Sequence, residues 1–303
     1  MANWDSYTQK STPEDADTLM IKDTSGAANK RTPFSGVWNW IKSKIEAEDS
    51  GVWNWIKSKI EAEDLSPMLY DNSGAHNAIY RGKYLGSSVT ETQWDAISAG
   101  TFDDLYVGDY WTIGGVNWRI AAFDYYYNCG DTNFTKHHVV IVPDTTLYTH
   151  VMNDTNITTG AYVGSKMYTE GLEQAKTTIN NAFGSSHVLS HRIYLSNATS
   201  NGKASAGAWT DSTVDLMCEH MVYGSGIFSP VSDGITVPNN YRVEKSQLPL
   251  FAHNPRMIGI RSSWWLRDVI TSAFFARVSF YGNADSNYAS SAHGVRPAFC
   301  IGV

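Results

Sequence analysis

The final forty residues constrain most strongly what this chain can fold into. They begin with the block Trp264-Trp265-Leu266-Arg267-Asp268 and end with the block Gly294-Val295-Arg296-Pro297-Ala298-Phe299-Cys300-Ile301-Gly302. Between the two lies a segment rich in Phe, Tyr, Ser and Asn. Tyr and Phe provide large contact areas with few rotatable bonds, while Ser and Asn provide adaptable hydrogen bonding. We therefore expect two rigid, apolar blocks that hold a recognition segment.

The residue types missing from this segment are as informative as those present. Between Asp268 and Phe299 there is no Lys, Glu, Gln, Met or Trp, where roughly five would be expected from the composition of the chain. An Asn codon randomised at its two adenines can produce none of these five types. The alternative explanation is a chance gap in a polar, β-rich tail.

The segment resembles the variable region of diversity-generating retroelement target proteins, similar to phage major tropism determinants. The resemblance implies a C-type-lectin-like fold that ends in a Trp-Trp-Leu-Arg … Gly-Val-Arg-Pro-Ala-Phe frame. Further phrases resemble the lectin-fold domain of gut-phage tail proteins, so that residues 80–303 are covered; they are Val107–Ile113, Trp118–Ala121, His137–Asp144, Gly160–Ser165 and Phe228–Val231.

The pattern of residues from Tyr80 onward predicts an α+β domain. Helices are expected at Thr92–Ala99, at Gly171–Phe183 with Gly184 as the stop, and at Val214–Val222. Strands are expected on both sides of a Gly114-Gly115 turn within Asp109–Ile120, and at His138–Val142. Two Ser/Thr/Asn/Gly-rich stretches, Thr145–Thr159 and Asn197–Trp209, are predicted to be long loops of the kind that often carry function.

Two shorter regions precede this domain. Residues 1–34 contain a predicted strand at Thr18–Asp23 that returns through Asn29–Thr32, which resembles the attachment segment of phage tail fibres; a disordered tail is the alternative. Within residues 35–66, Ser35–Asp49 is repeated identically as Ser50–Asp64, with apolar residues at helical spacing. We expect a helical bundle that holds a homotrimer, or else a recent duplication or cloning artefact with one functional copy. Residues 67–303 form the predicted lectin-like domain, with the variable region at about 264–303.

Composition excludes several classes of partner and compartment. Hydrophobic residues make up 42% of the chain and 23 Lys+Arg stand against 30 Asp+Glu without a basic stripe, so we expect a packed protein with no nucleic-acid partner and no membrane insertion. Three widely spaced cysteines, Cys129, Cys218 and Cys300, favour reduced, buried thiols over disulfides or a zinc site. The start of the sequence lacks the pattern of a signal peptide. We therefore expect synthesis in a bacterial host cytoplasm and display on a virion.

Candidate chemistry in the sequence is weak. His137-His138 with nearby Asp144 could suggest metal ligation, but adjacent strand residues point to opposite faces. Calcium-dependent sugar binding is disfavoured because Val237-Pro238-Asn239-Asn240 lacks the preceding acid of the lectin motif and no Trp-Asn-Asp occurs. Formylglycine-generating oxidases share the fold but would need Cys218 and Cys300 to meet. We expect no metal, no cofactor and no enzymatic activity.

The resemblance implies a phage tail receptor-binding protein that contacts a bacterial surface receptor and phage tail or baseplate proteins. A bacterial cell-surface or secreted adhesin is the alternative function. The structural frame is expected to be Trp264, Trp265, Arg267, Arg296 and Phe299. Inward-facing, constant positions are expected at Ala276, Val278, Ala289, Val295 and Phe299. The predicted contact positions, which would be exposed and variable, are twelve: Ile270, Thr271, Phe274, Phe280, Tyr281, Asn283, Asp285, Ser286, Asn287, Tyr288, Ser291 and His293.

Overall fold

The computed structural model describes residues 72–229 and 246–303, the backbone of residues 18–22 and 29–33, and the helical residues Asn39 and 41–43. The chain forms two compact units, Met1–Tyr70 and Asp71–Val303. In the first unit, β1 (Thr18–Lys22) pairs antiparallel with β2 (Asn29–Pro33), as predicted. Asn39 and Ile41–Ser43 are helical. Most of the duplicated segment, including the second copy, lies outside the described residues, so its trimeric bundle stays a prediction.

The second unit mixes strands with short helices, which confirms the predicted α+β class. The helices are α1 (Asn72–Asn77), α2 (Glu91–Ala99), α3 (Glu173–Phe183), α4 (Glu219–Tyr223) and α5 (Pro249–His253), with a π-helical turn at Met167–Gly171 and a 3₁₀ turn at Pro255–Met257. The strands are β3 (Tyr84–Gly86), β4 (Tyr110–Ile113), β5 (Val116–Phe123), β6 (Val139–Pro143), β7 (Tyr148–Val151), β8 (Val188–Leu189), β9 (His191–Ser200), β10 (Lys203–Ser212), β11 (Val214–Leu216), β12 (Trp264–Val269), β13 (Phe274–Val278), β14 (Ala284–Tyr288), β15 (Ala292–Val295) and β16 (Pro297–Ile301).

Two large sheets organise these strands. One has seven strands in the order β11-β16-β6-β5-β4-β3, with β8 also paired to β16. The other has five strands in the order β14-β13-β12-β15-β7. Strands β9 and β10 form a separate hairpin. Of the helices in the described part of the chain, none has the length and apolar character needed to cross a membrane.

Local sequence signals explain several elements. Helix α2 begins after Thr90, whose side chain accepts from the backbone N–H of Gln93 while the Gln93 side chain accepts from the Thr90 N–H, and it ends at Gly100 in the left-handed region. This reciprocal cap satisfies two amide groups that the first helical turn leaves without partners. Gly114 and Gly115 both have positive φ, as the two-residue turn between β4 and β5 requires. The predicted helix Thr92–Ala99 and the predicted β4–β5 hairpin are confirmed.

Three sequence predictions were wrong. Val214–Val222 is not one helix, because residues 214–216 pair with β16 and only α4 is helical. The predicted loop Thr145–Thr159 contains β7, which pairs with β15. The predicted loop Asn197–Trp209 lies within the β9–β10 hairpin. In each case pairing with a distant or neighbouring strand overrode the local pattern.

Two of the connections between the two large sheets are short and lie next to each other. One crossing joins β6 to β7, and the other joins β15 to β16 through Arg296. The Arg296 Nε donates to the carbonyl of Pro143 at 2.9 Å, and the Leu147 amide donates to the carbonyl of Val295 at 2.9 Å. These bonds join the two crossings, so that the C-terminal strands are fixed to the core of the second unit.

Candidate ligand-binding surface

The predicted contact positions lie on β13 and β14, on the turns that flank these two strands, and, for His293, on β15. None of the twelve is buried, and Tyr281 is 87% exposed while Phe280 and Tyr288 are each 48% exposed. In contrast, the five positions predicted to face inward, Ala276, Val278, Ala289, Val295 and Phe299, are all buried. The predicted division into inward and outward side chains is therefore confirmed. The ligand-binding role of the outward ones stays a prediction.

The frame residues are buried and hold the sheet through their polar atoms. The indole nitrogens of Trp264 and Trp265 donate to the carbonyls of Ile258 (3.3 Å) and His150 (2.9 Å). Arg267 donates from Nη1 to the carbonyl of Leu216 at 3.0 Å. Buried Trp rings with satisfied N–H groups give this part of the sheet a fixed position.

Arg296 is fully buried over two aromatic rings. Its guanidinium carbon lies 5.0 Å from the centre of a Trp264 ring and 5.5 Å from that of Phe251. Its Nη1 donates to the carbonyl of Met257 at 2.8 Å. Burial lowers the pKa of Arg296 to about 10, so the group is still charged at neutral pH. The prediction that the arginines of the frame stack or pair beneath the surface is confirmed for Arg296.

The turn between β13 and β14 carries Tyr281, the most exposed aromatic side chain among residues 72–229 and 246–303, on a fixed backbone. The Ser279 amide donates to the Asn283 carbonyl at 2.9 Å, and the Gly282 amide donates to the Ser279 carbonyl at 3.0 Å. Gly282 has a φ of 94°, and a Cβ there would lie 2.9 Å from the backbone of Gly259. The Ser279 hydroxyl also accepts from the Tyr281 amide at 3.2 Å and donates to Asn283 Oδ1 at 2.6 Å. These bonds use the backbone of Tyr281 and not its side chain.

One face of the sheet carries a polar cluster above Trp265. Arg277 donates to Asp285 Oδ2 from Nε (3.0 Å) and from Nη2 (2.6 Å). Arg277 Nη1 and Asn287 Nδ2 both donate to Nε2 of His293, at 2.8 and 2.9 Å. The His293 ring packs edge-on against Trp265 at 4.7 Å between ring centres.

The electrostatics of this cluster set the charge of His293. Burial, followed by the nearby Arg277 cation, lowers the pKa of His293 to about 4. The ring is therefore neutral at pH 7, which agrees with Nε2 accepting two hydrogen bonds. The cluster presents a cation, a carboxylate and two neutral polar groups on a partly exposed face.

The opposite end of β13 and β14 carries an aromatic pair. The rings of Phe274 and Tyr288, which are cross-strand partners, lie 4.4 Å apart between centres. The neighbouring turn is held by backbone bonds from the amides of Ile270 (2.9 Å) and Thr271 (3.3 Å) to the Phe274 carbonyl. The Thr271 hydroxyl adds to them by accepting from the amides of Ala273 and Phe274 at 3.2 Å. Partly exposed, packed aromatic side chains of this kind are common anchors in binding surfaces.

Strand β14 is the outer edge of the sheet, and two of its amides are covered by its own side chains. Asp285 Oδ1 accepts from the amide of Ser286 at 2.8 Å, and Asn287 Oδ1 accepts from the amide of Tyr288 at 2.8 Å. An edge strand with accessible amides invites pairing with another chain. With these two amides occupied, β14 offers its side chains to a partner more readily than its backbone.

Sequence reasoning missed Arg277, which joins the predicted positions Asp285 and His293. The signal was present, because a strand alternates and the flanking residues Ala276 and Val278 were predicted to face inward. Arg277 should have been assigned to the outward set.

The candidate metal and cysteine sites do not assemble. His137 Nδ1 contacts Asp124 Oδ2 at 2.7 Å, whereas both oxygens of Asp144 contact Arg119 at 2.6 Å. His138 is fully buried. Across residues 72–229 and 246–303, no three His, Cys, Asp or Glu side chains form a group suited to a metal ion. Cys129, Cys218 and Cys300 are all buried without a disulfide, so that neither Cys218 nor Cys300 opens onto a cleft. The loop Val237–Asn240 lies outside the described residues.

A family model described as a domain of unknown function (DUF6273) matches residues 227–303. The matched part contains every strand from β12 to β16, with both the frame and the twelve contact positions. Comparison with curated proteins and with solved structures gave no match.

Proposed function

We propose that the chain is a phage tail receptor-binding protein whose C-terminal segment displays a ligand-binding surface diversified by a retroelement. In this proposal the second unit is a C-type-lectin-like domain, and the twelve contact positions vary between copies of the gene. The ligand is a receptor on the bacterial surface.

The observation that carries the proposal is the separation of roles along single strands. The frame and the constant positions are buried, while the twelve contact positions all reach solvent. A diversified surface has this physical requirement, because side chains can be exchanged freely only where the core is closed beneath them. Backbone bonds that fix the turns at residues 279–283 and 270–274 support the proposal in the same way.

The exposed chemistry favours binding over catalysis. Phe280, Tyr281 and Tyr288 provide apolar contact area, and Asn283 and Ser286 provide hydrogen bonds. One such site binds weakly, but a trimer and several trimers on one virion would raise avidity without new contacts. In the same proposal, residues 1–34 attach the chain to the phage particle and residues 35–66 hold the trimer together. Light scattering on a chain that lacks residues 35–64 should then detect monomers.

The proposal is tested by binding to intact bacterial cells. A labelled chain is screened against a panel of strains, and the strain that binds most strongly is kept. We expect the double variant Tyr281→Ala, Tyr288→Ala to lose most of this binding with a nearly unchanged melting temperature. Tyr84→Ala is the matched control, because Tyr84 is 52% exposed and lies on β3 in the other sheet.

Two results would contradict the proposal. One is unchanged binding by the double variant, and the other is an equal loss from Tyr84→Ala. Co-purification of the chain with phage particles separates the phage protein from a bacterial adhesin. A near-copy of the DNA encoding the C-terminal segment, beside a reverse-transcriptase gene, is expected if a retroelement diversifies it.

A further inference from the structure

A loop from outside the C-terminal segment is docked against the contact positions. The Asn153 amide donates to the carbonyl of Ala289 at 2.9 Å. Thr158 Oγ1 donates to the carbonyl of Thr271 at 2.9 Å. Asn156 Oδ1 accepts from the amide of Ser290 at 3.2 Å and from its hydroxyl at 2.6 Å. Residues 153–158, here called the flanking loop, therefore touch the turn before β13 and the turn after β14, which lie at the same end of this antiparallel pair.

Most of these contacts are made to backbone atoms. The carbonyls of Thr271 and Ala289 and the amide of Ser290 are present whatever side chain those residues carry. Only the bond from the Ser290 hydroxyl depends on residue type, and Ser290 is not among the twelve contact positions. The flanking loop can thus keep its place while the surface beside it changes.

The flanking loop is also held internally by one buried side chain. Asn153 Nδ2 donates to the carbonyl of Ile157 at 2.8 Å, and Asn153 Oδ1 accepts from the amide of Lys166 at 2.9 Å. The Ile157 amide donates to the carbonyl of Thr155 at 2.8 Å. The backbone of Ile157 is therefore fixed on both its amide and its carbonyl side.

The side chain of Ile157 is left at the surface. It is 51% exposed, although its chain neighbours Asn156 and Thr158 are bonded to Ser290 and Thr271. The backbone of Ile157 therefore lies close to those two turns, which are at the same end of the β13–β14 pair as Phe274 and Tyr288. On its other side it lines a cavity of about 350 Å³ whose wall includes Lys166, paired with Asp154 at 2.7 Å.

We infer that Ile157 is a constant contact of the ligand-binding surface and that it takes an apolar side chain of a protein receptor. The inference rests on the proposed function and adds to it a position that the C-terminal segment does not encode. An aliphatic side chain lacks the π face on which sugars and cations stack, and it adds to aromatic anchors an apolar patch typical of the centre of a protein interface. Preorganisation by Asn153 reduces the entropy lost when the ligand binds.

The test uses the full chain displayed on yeast, with the twelve contact positions randomised, in four versions. These carry Ile157, Ile157→Ala, Ile157→Leu or the control Ile79→Ala. Ile79 is 49% exposed and immediately precedes Tyr80, which bridges to Val107 outside the five-stranded sheet. Each library is selected on immobilised streptavidin and, separately, on hen lysozyme, and display level is recorded as the measure of folding.

We expect about tenfold fewer binders from the Ile157→Ala library at equal display level, with near-normal numbers from Ile157→Leu and Ile79→Ala. Equal numbers of binders from all four libraries would overturn the inference and leave the proposed function standing. If no library yields a binder, the proposed function itself fails. If Ile157→Ala also lowers display, the Ile157→Leu library decides. Leu keeps an apolar side chain of the same size, so we expect a normal number of binders from it. Fewer binders from Ile157→Leu at normal display would contradict the inference.

Discussion

Strands β12 and β14 come from the same forty residues and lie in the same sheet, but their side chains differ in burial. Every residue of β12 except Asp268 is buried, whereas no residue of β14 is buried. Strand β12 lies between β13 and β15, and β14 lies at the edge with one neighbour. A strand that is covered on both faces and has a neighbouring strand on each side cannot accept new side chains. The position of a strand in the sheet, central or at the edge, therefore decides whether its side chains can be substituted without loss of the fold.

The sharpest test of this contrast uses two adjacent phenylalanines of β13, which are oriented to opposite faces. Phe275 is fully buried, while Phe274 is partly exposed and packs against the ring of Tyr288. We expect Phe275→Ala to lower the free energy of unfolding by about 4 kcal/mol because it leaves a cavity. Phe274→Ala should cost only about 1 kcal/mol. Chemical denaturation of both variants measures the difference. Equal losses of stability would contradict the contrast between buried and exposed positions.

A smaller effect is expected at Gly294, where the frame meets β15. A Cβ at this position would lie 2.1 Å from Cγ2 of Thr146 and 3.1 Å from the carbonyl oxygen of Ser263. We expect Gly294→Ala to destabilise the fold by about 3 kcal/mol through overpacking. The double variant Gly294→Ala, Thr146→Gly removes the nearest atoms and should recover part of the loss. Should the single variant melt like the unchanged chain, the frame is less tightly packed than the structure indicates.

The third effect depends on pH and concerns the core beneath β6. His138 is fully buried, donates from Nδ1 to the carbonyl of Lys136 and accepts at Nε2 from the amide of Tyr126. Burial lowers its pKa from 6.5 to about 4. Between these values the unfolded chain binds a proton that the folded chain does not, so stability falls as pH falls.

The expected cost of acidification from pH 7 to pH 5 at His138 is about 2 kcal/mol, at 1.4 kcal/mol per pH unit below the unfolded pKa. The free energy of unfolding is measured at both pH values for the unchanged chain and for His138→Gln. The contribution of His138 is the difference between the two chains in how much this free energy changes with pH. Parallel slopes would show that His138 is not buried in its neutral form. His293, also with a pKa lowered to about 4, adds a weaker contribution because it is partly exposed.

Local signals allowed the sequence to predict part of the fold. Thr90 and Gly100 bound α2, Gly114-Gly115 turns β4 into β5, and alternation along β13 sets Ala276 and Val278 on the face opposite Arg277. Each of these depends on residues close together in the chain, where capping, turn geometry and strand period act directly. The exposed positions of the candidate site followed from the family resemblance and from their compatibility with a randomised Asn codon.

The rest depended on pairing or on a signal that was overlooked. Residues 214–216 are a strand because they pair with β16, a partner more than eighty residues away that no local pattern encodes. The β9–β10 hairpin has polar strands, but Asn201-Gly202 at its tip has positive φ at both residues and is a strong hairpin signal. Ile157 could not have been found, since only the folded chain brings its loop to the C-terminal turns.

The central claim is that the frame folds independently of the side chains at the twelve contact positions. Its most direct test is the folded fraction of a displayed library in which all twelve are randomised together, compared with one in which Ala276, Val278, Ala289, Val295 and Phe299 are randomised instead. We predict that most members of the first library fold, with free energies of unfolding mostly within about 1 kcal/mol of the starting chain, and that few members of the second do. A first library that folds no better than the second would contradict the claim.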